Sequence, residues 1–505
     1  NVSMSRKKKL LYNTCAAAGN QVVTLICGLV LPRLIISHYG SVTNGLLSSI
    51  TQFLAFFSLM EMGVGAVVRA SLYKPLADHD EDAISRVLIS SQRFFRRIGL
   101  MLCVYTAGLM VYFPLAVDHS RGYLGTMILV GATAFSALAN YLFGIVYQQL
   151  LNADQKSYIQ LGISALTTIL NTVFGAVLIR MDATIEVVKL LAAFVLLLRP
   201  LLLKIYVDRK YHLNFHLKIT GEPIKQKWNG LAQHIAIYIV KHADTVILTA
   251  FSTLENVSIY YVYHLVTNGL QQLIEILTTG VGALLGNMYA KKETETLYNT
   301  FGAFELIIHS FVTLLYSIAG IMIIPFVQIY TKGITDTNYI VPVFSALIVA
   351  ANASYCLRMP YYIMVQTAGH FKQTQLSAII EAALNVCISV ALVKNYGLIG
   401  VAIGTLVAML YRTIYLAWYL HKEILYRPFS IFLKHMIVDL ISASLSIALA
   451  RMIGTPNMEW HSWIIAAFKV SAITLVSVLT INTVSFRTEL QAAVCLLVKK
   501  DTCAR

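Results

Sequence analysis

The sequence predicts an all-α polytopic membrane protein of 14 transmembrane helices, arranged as two pseudo-symmetric six-helix bundles plus two extra helices. Three observations carry this prediction. First, 57% of the 505 residues are hydrophobic and only 12% are charged, about half the charged share of an ordinary soluble domain. Second, the apolar residues come in stretch after stretch of about 20 residues or more, the length that crosses a bilayer as a helix. A closed β-barrel would show short alternating segments instead. Third, the chain repeats itself.

The repeat runs at an offset of about 215 residues, and a copied unit at a fixed offset marks an internally duplicated fold. Met62-Gly63-Val64-Gly65-Ala66-Val67-Val68 returns as Thr279-Gly280-Val281-Gly282-Ala283-Leu284-Leu285. Tyr12-Asn13 has a counterpart in Trp228-Asn229, and Leu170-Asn171 in Leu384-Asn385. Ala153 and Lys156 recur as Ala368 and Lys372, and Leu198-Arg199-Pro200 as Tyr411-Arg412-Thr413. In so apolar a chain, a long repeat points to a transporter made of two related halves.

Spans are predicted over residues 11–37, 42–71, 98–117, 124–152, 158–180, 184–206, 228–251, 256–289, 300–330, 338–366, 374–394, 397–420, 430–453 and 461–486. The even number puts both termini on one side. Most of the 39 Lys and Arg residues lie in loops or tails of that side, which the positive-inside rule makes cytoplasmic. The net charge of +15 is therefore largely topological and does not call for a nucleic-acid partner. Met4 reads as the native start, with Asn1-Val2-Ser3 a cloning remnant. Arg6-Lys7-Lys8-Lys9 leads into a long span with no small-residue cleavage site, so no cleaved signal peptide is expected. The largest cytoplasmic loops are 72–97 and 207–227. The first is expected to be an interfacial amphipathic helix, with Ile84, Val87, Leu88 and Ser91 on one face and Arg93, Arg96 and Arg97 among the basic residues around it. External connections are short, the longest around 454–460.

Six spans per half is an even number, so the halves share one orientation about an axis along the membrane normal. The expected organisation is an N-terminal six-helix bundle over 4–206, a cytoplasmic linker over 207–227 and a C-terminal six-helix bundle over 228–422. Two additional helices over 430–486 and a cytoplasmic tail over 487–505 complete it. The seven Cys are isolated, with no CxxC spacing, and read as small apolar fillers. His212 and His216 lack a third ligand. There is no Walker A sequence and no GxSxG, so neither ATP-driven nor serine-hydrolase chemistry is indicated, and no catalytic or metal residue is expected.

Charges inside spans cost several kcal/mol, by scales that disagree, and usually face an aqueous cavity or a partner. The repeat sorts them. Arg199 and Arg412 are mutual counterparts and read as snorkelling or scaffold residues. Arg33, Glu61, Lys241, Asp244 and Glu275 have no charged counterpart: Lys241 aligns with Leu25, Asp244 with Gly28, Glu275 with Ser58, Arg33 with Thr249 and Glu61 with Thr278. Lys241 and Asp244 share a helix face at i,i+3, so they form either an internal ion pair or a functional cavity wall. Arg33, after Pro32, either snorkels to the outer interface or binds substrate. Glu61 sits among glycines that permit close helix approach. Arg358 and Glu381 read as a structural pair. Asn20, Gln21, Asn44, Gln52, Asn268, Gln271 and Gln272 make the first, second and eighth spans polar, as a hydrophilic cavity requires. Tyr260, Tyr261, Tyr263 and His264 read as an aromatic belt or as a platform for sugar stacking.

Leu31-Pro32-Arg33 with Tyr39-Gly40, Asn44-Gly45-Leu46, Ser48-Ser49-Ile50-Thr51-Gln52-Phe53-Leu54 and Glu61-Met62-Gly63-Val64-Gly65 follow one another in the first third of the chain. Thr367-Ala368-Gly369-His370-Phe371-Lys372, Ile380-Glu381-Ala382-Ala383-Leu384-Asn385 and Gly400-Val401-Ala402-Ile403-Gly404-Thr405 follow later. In order and spacing, over nearly the whole chain, these segments resemble Wzx-type lipid-linked oligosaccharide flippases, of the polysaccharide-transport branch of the multidrug/oligosaccharidyl-lipid/polysaccharide (MOP) exporter superfamily. The resemblance implies a flippase for undecaprenyl-diphosphate-linked sugar repeat units in the bacterial cytoplasmic membrane. It also implies a central cavity lined by spans 1, 2, 7 and 8, and alternating access by rocking of the halves. In fourteen-span relatives the two extra helices help form a lipid-facing groove.

On this reading Arg33 and Lys241 bind the diphosphate, while Asn20, Asn44, Gln52, His264 and Gln271 meet the sugars. Glu61, Asp244 and Glu275 are the candidates for ion coupling or gating. No organic cofactor is expected; H⁺ or Na⁺ coupling, or the membrane potential, supplies the drive. The expected partners are the lipid-linked oligosaccharide, membrane lipids and polysaccharide polymerase or assembly proteins. The alternative is a multidrug or organic-cation antiporter of the same superfamily, for which an acidic cavity is expected. A membrane enzyme acting on the same lipid would need a larger catalytic loop than any present.

Overall fold

The computed structural model describes residues 6–118, 121–211, 213–214, 231–278, 281–454 and 456–487. Among the described residues there are helices and turns but no strand. Met4, the His212/His216 pair, most of the linker 207–227, Trp228-Asn229, Thr279-Gly280 and the tail beyond 487 lie outside them. Among the described residues eleven helices are long and apolar enough to cross a membrane, which makes this a multi-pass helical membrane protein. The expected spans over 42–71, 228–251 and 256–289 are also helical in their described residues. Contacts divide the chain into two compact units, Asn1–Tyr238 and Ile239–Arg505.

The first unit opens with α1 (Arg6–Leu54), which covers the first expected span and the start of the second. The boundary between them is a sharp break at Gly40, with φ 85° and ψ 171°, a backbone region that only glycine enters at little cost. A 3₁₀ turn (Ala55–Phe57) leads into α2 (Ser58–Ala77) and then α3 (Glu81–Ala116). Segment 72–97 is therefore not a separate interfacial helix: α2 runs to Ala77 and α3 continues unbroken into the next span. Asp80 caps α3 by accepting from the Ala83 N–H at 2.8 Å, with Glu81 and Asp82 in the first turn, an arrangement that starts a helix firmly. Ile84, Val87, Leu88 and Ser91 do share one face, and that face is buried in protein.

Helices α4 (Tyr123–Ala139), α5 (Ile145–Ala153), α6 (Ser157–Arg180) and α7 (Ile185–Lys210) complete the unit, with one π-helical segment at Asn140–Gly144. Helix α1 packs on α6, and α4 and α6 both pack on α7. At one end Asn13 holds the α5–α6 turn, donating to Gln155 O at 3.0 Å and accepting from the Tyr158 N–H at 2.8 Å. Beside it Tyr211 Oη donates to Asp154 at 2.5 Å, and Lys156 reaches the same carboxylate at 2.6 Å. Burial and that carboxylate push the Tyr211 phenol above its ordinary pKa.

The second unit begins within α8 (Leu231–Phe251) and continues with α9 (Leu254–Thr278), α10 (Val281–Ala290) and α11 (Thr294–Tyr330). The expected tenth span is broken at Arg358 into α12 (Pro342–Leu357) and α13 (Met359–Thr367), because Pro360 enters at the start of a new helix. Helices α14 (Phe371–Tyr396) and α15 (Leu398–Glu423) make the most extensive helix pair. Gly404 allows this approach: a Cβ there would sit 2.2 Å from Ser389 Oγ. The additional helices α16 (Ser430–Ala450) and α17 (Trp460–Ser485) form a hairpin packed on α11. Met322, Ala450, Ala466 and Val470 make one apolar contact there, and Leu306, Val438 and Phe486 another. The connection 331–341 is longer than 454–459, which corrects the expected longest external loop.

Duplicated sequence gives duplicated contacts. In the first unit Arg199 donates from Nε to Thr167 Oγ1 at 3.1 Å and from Nη2 to Thr168 Oγ1 at 3.3 Å, tying α7 to α6. In the second, Arg412 donates to Thr374 O at 2.9 Å and to Ser377 Oγ, tying α15 to α14. Both arginines are scaffold clamps. The Gly-Val-Gly-Ala segments behave alike. A Cβ at Gly65 would lie 3.1 Å from Gln149 on α5, and one at Gly282 would lie 3.4 Å from Ile363 and Thr367 on α13. Arg69 secures the first of these contacts by donating to Gln149 Oε1 at 2.7 Å.

Candidate functional site

In the first unit the candidates lie along α1. Arg33 follows Pro32 and is half-buried, Asn20 and Gln52 are half-buried, and Asn44 is buried at 3% exposure. The Asn20 side-chain oxygen is buried without a hydrogen-bond partner. Gln52 accepts through its backbone oxygen from Tyr238 Oη at 3.1 Å. Glu61 lies on α2, and its side chain is outside the described residues.

In the second unit the structure draws together Asp244 on α8, Tyr260 and His264 on α9, Asn385 on α14 and Thr405 on α15. Asp244 is 2% exposed. Its Oδ2 accepts from Thr405 Oγ1 at 2.7 Å and Tyr260 Oη at 3.0 Å, and its Oδ1 accepts from Asn385 Nδ2 at 3.2 Å. No Lys, Arg or His among the described residues pairs with it. This overturns the Lys241–Asp244 ion pair. One turn of helix puts both residues on roughly one side, but Asp244 turns inward onto α9, α14 and α15 while Lys241 stays exposed.

The aromatic residues at the start of α9 are also reassigned. Tyr260 and Tyr263 are buried, at 6% and 0% exposure. Tyr263 Oη donates to Tyr339 O at 2.9 Å, so these two rings serve neither as an interfacial belt nor as a sugar platform. His264 stacks on Tyr260 at 5.6 Å and 19°, and its Nδ1 is buried without a partner. Farther along α9, Gln271 donates to Glu275 Oε1 at 2.8 Å, which makes one intrahelical pair of a predicted sugar contact and a predicted coupling residue.

The groups of the Asp244 cluster able to ligate an ion are oxygens, although Asn385 turns its Nδ2 to the carboxylate. Besides the carboxylate there are Asn385 Oδ1, buried without a partner, and Thr405 Oγ1. Val401 O accepts from Ser389 Oγ at 3.3 Å and lies 3.0 Å from Thr405 Oγ1, whose one hydrogen goes to Asp244. Hard cations of the alkali and alkaline-earth type prefer such all-oxygen sets. Asn385 and Thr405 were not among the predicted site residues. The signal was present: both are polar residues at interior positions of membrane-length helices.

A second polar centre went largely unpredicted. Glu305 on α11, at 0% exposure, pairs with Arg427 and accepts from Tyr361 Oη at 2.7 Å. His309 lies between Asp439 Oδ2, at 2.5 Å from Nδ1, and Tyr361 Oη, at 2.9 Å from Nε2. Thr313 Oγ1 donates to Asp439 Oδ1 at 2.8 Å. The expected Arg358–Glu381 pair is formed, and Arg412 Nε approaches the same carboxylate at 3.8 Å.

No family model and no curated protein matches the sequence. Solved structures do match in fold. The lipid II flippase MurJ, in an inward closed conformation, is similar with a TM-score of 0.70 at 14% identity, over 95% of this chain and 100% of that one. An inward-facing multidrug resistance MATE family transporter of the MOP superfamily is similar with a TM-score of 0.56 at 16% identity, over 79% of this chain and 95% of that one. A mutant of the Vibrio cholerae MATE transporter VcmN gives 0.55 at 12% identity, over 83% and 98%. At these identities the likeness is one of fold: the chain has the helical architecture found in MurJ and in MATE transporters.

Proposed function

We propose that the protein is a lipid flippase that moves undecaprenyl-diphosphate-linked oligosaccharides across the bacterial cytoplasmic membrane by alternating access, with both termini cytoplasmic. The observation that carries this reading is the extent of the MurJ likeness, 95% of this chain against 79% and 83% for the MATE transporters. Exposed Lys241 and half-buried Arg33 are the proposed diphosphate ligands. Asn20, Asn44, Gln52 and His264 are the proposed sugar contacts. The inside-negative potential favours outward movement of the anion by roughly 2.3 kcal/mol per charge per 100 mV. Asp244, with Asn385 and Thr405, is the proposed coupling site for Na⁺ or H⁺. A buried carboxylate with no cationic partner among the described residues, and an unbonded oxygen on the amide that binds it, suits a small cation.

The test is transport by the purified full chain in liposomes, with a fluorescent undecaprenyl-diphosphate oligosaccharide in one leaflet and an organic-cation dye in a parallel assay. Lipid flipping without dye transport is expected. Lys241→Ala and Arg33→Ala should each slow flipping about tenfold or more, the loss of one charge-assisted contact. Asp244→Asn should remove the dependence on a Na⁺ or pH gradient. Dye transport without lipid flipping establishes the antiporter instead, a reading that the MATE likeness and the acidic Asp244 site favour.

A further inference from the structure

The buried centre around His309 specifies its own protons. Arg427 pairs with Glu305, so Glu305 is a carboxylate and only accepts. Tyr361 has one hydroxyl hydrogen, and at 2.7 Å from Glu305 Oε1 that hydrogen points at the carboxylate. The Tyr361 oxygen must then accept from His309 Nε2, 2.9 Å away, so Nε2 carries hydrogen. On the other side of the ring, 2.5 Å separates Nδ1 from Asp439 Oδ2, and a second hydrogen must lie between them. Whether it sits on the imidazole or on the carboxyl group, the pair holds one proton more than a neutral histidine beside a carboxylate.

Nearby His421 shows the contrast. Its Nδ1 donates to Ala417 O at 2.6 Å and its Nε2 accepts from Arg427 Nε at 2.9 Å, so the same count leaves it neutral. The other groups facing the pair are Glu305 and Arg427 themselves and His435. The His435 ring lies 4.8 Å from His309 and stacks on Phe486 at 4.3 Å, with the Lys434 ammonium 4.3 Å from the Phe486 ring.

We infer that His309 and Asp439 form a proton-binding site and that its proton fastens α16 to α11. With the proton in place the centre is electrically balanced, Glu305 against Arg427 and Asp439 against His309. Without it, two lone pairs face each other at 2.5 Å, or the ring shifts its hydrogen to Nδ1 and sets Nε2 against the Tyr361 oxygen. In either case one negative charge is left over, buried where the His309 and Asp439 side chains are 1% and 10% exposed, and an unbalanced buried charge is costly. Moving α16 away from α11 relieves both faults. Asp439 also lines a largely apolar cavity of about 470 Å³ together with Thr313 and Ser317, whose Oγ is buried without a partner.

The experiment is ¹⁵N-histidine NMR and infrared spectroscopy on the full chain in lipid nanodiscs at neutral pH, with His309→Gln used to assign the signals. Either a doubly protonated His309 or a carboxylic-acid C=O band that vanishes in Asp439→Asn is expected. A neutral His309 with no such band overturns the site. Hydrogen exchange of α16 tests the fastening. Raising the pH until the His309 signal changes should speed exchange in residues 430–450 about tenfold or more beyond its intrinsic pH dependence, the worth of one charged hydrogen bond. Asp439→Asn keeps the shape and should show no such extra step. Exchange that is equally slow with the proton on and off overturns the fastening. None of these readouts depends on which substrate is carried.

Discussion

The two units share a repeated backbone but not their buried charge. Among the described residues of the first unit, Asp118 is the one buried acidic or basic side chain; the second buries Asp244, Glu305, Glu381, Arg412, Arg427 and Asp439. Where the repeat keeps a residue, as at Arg199 and Arg412, each unit uses it to clamp neighbouring helices. Where it does not, the divergence is large. Asp244 is held by three helices, while at its counterpart Gly28 an added Cβ would meet nothing within 4 Å. The first unit's ion pairs Lys156–Asp154 and Arg121 with Asp118 and Glu186 each keep a part-exposed member. The second unit buries both partners of Glu305–Arg427 in the network that docks the unduplicated pair α16–α17.

Removing one half of a buried ion pair should expose this difference most strongly. Arg427→Met leaves Glu305 charged and fully buried, and should cost about 3–5 kcal/mol. The measurement is the thermal midpoint of the protein in detergent. In the first unit, Asp118→Asn keeps an acceptor for Thr126, which donates to Asp118 at 2.9 Å, and loses the charge facing Arg121 Nε at 4.0 Å, a guanidinium that also approaches Glu186 at 3.8 Å; it should cost about 1 kcal/mol. Equal losses would erase the distinction between the units. Gly404→Ala comes next. Its Cβ would meet Ser389 N at 2.8 Å, a backbone atom that cannot swing away, so α14 and α15 must separate at a cost of about 1–3 kcal/mol. Asn385 and Thr405 ride on those two helices, so any Na⁺ or pH dependence of transport should weaken together with stability.

Much of this fold could be read from the chain. Runs of apolar residues located the helices, the gap between the spans expected over 11–37 and 42–71 contains the break at Gly40, and the copied arginines marked the clamps. The misses have a common physical cause. Helix periodicity gives the side of a helix but not its neighbour. Lys241 and Asp244 had the spacing of a pair, yet the partners of Asp244 come from Tyr260, Asn385 and Thr405, far away in sequence. Segment 72–97 had the right buried face but no helix end at its junction with the next span. The His309 centre left a usable trace: Glu305 and His309, like His435 and Asp439, are spaced i,i+4 in apolar helices, and such pairs share a face. Nothing in the sequence said that the two faces meet.

Arg412→Ala and Arg199→Ala compare a clamp in the two settings. Arg412 is buried at 3% exposure and approaches Glu381, so its removal should cost about 1.5–3 kcal/mol. Arg199 is half-buried and binds two neutral hydroxyls, for a loss of about 1 kcal/mol. The order of the two thermal midpoints checks this, and a reversed order would mean that the second unit's charges do not reinforce its clamp.

Gly28→Ala should have the smallest effect and the opposite sign. Position 28 is helical in α1, and a methyl group there meets open space, so the exchange should stabilise by about 0.5–1 kcal/mol, the helix preference of alanine over glycine. It should leave any cation dependence unchanged, because the site opposite it in the repeat draws on residues the first unit only partly duplicates. Asn385 has its copy in Asn171, but at the Arg199/Arg412 spacing Thr405 falls on Ala192. A loss of cation dependence in Gly28→Ala, measured in the same liposomes as Asp244→Asn, would mean that the first unit retains an ion site of its own. The asymmetry would then be one of stability alone.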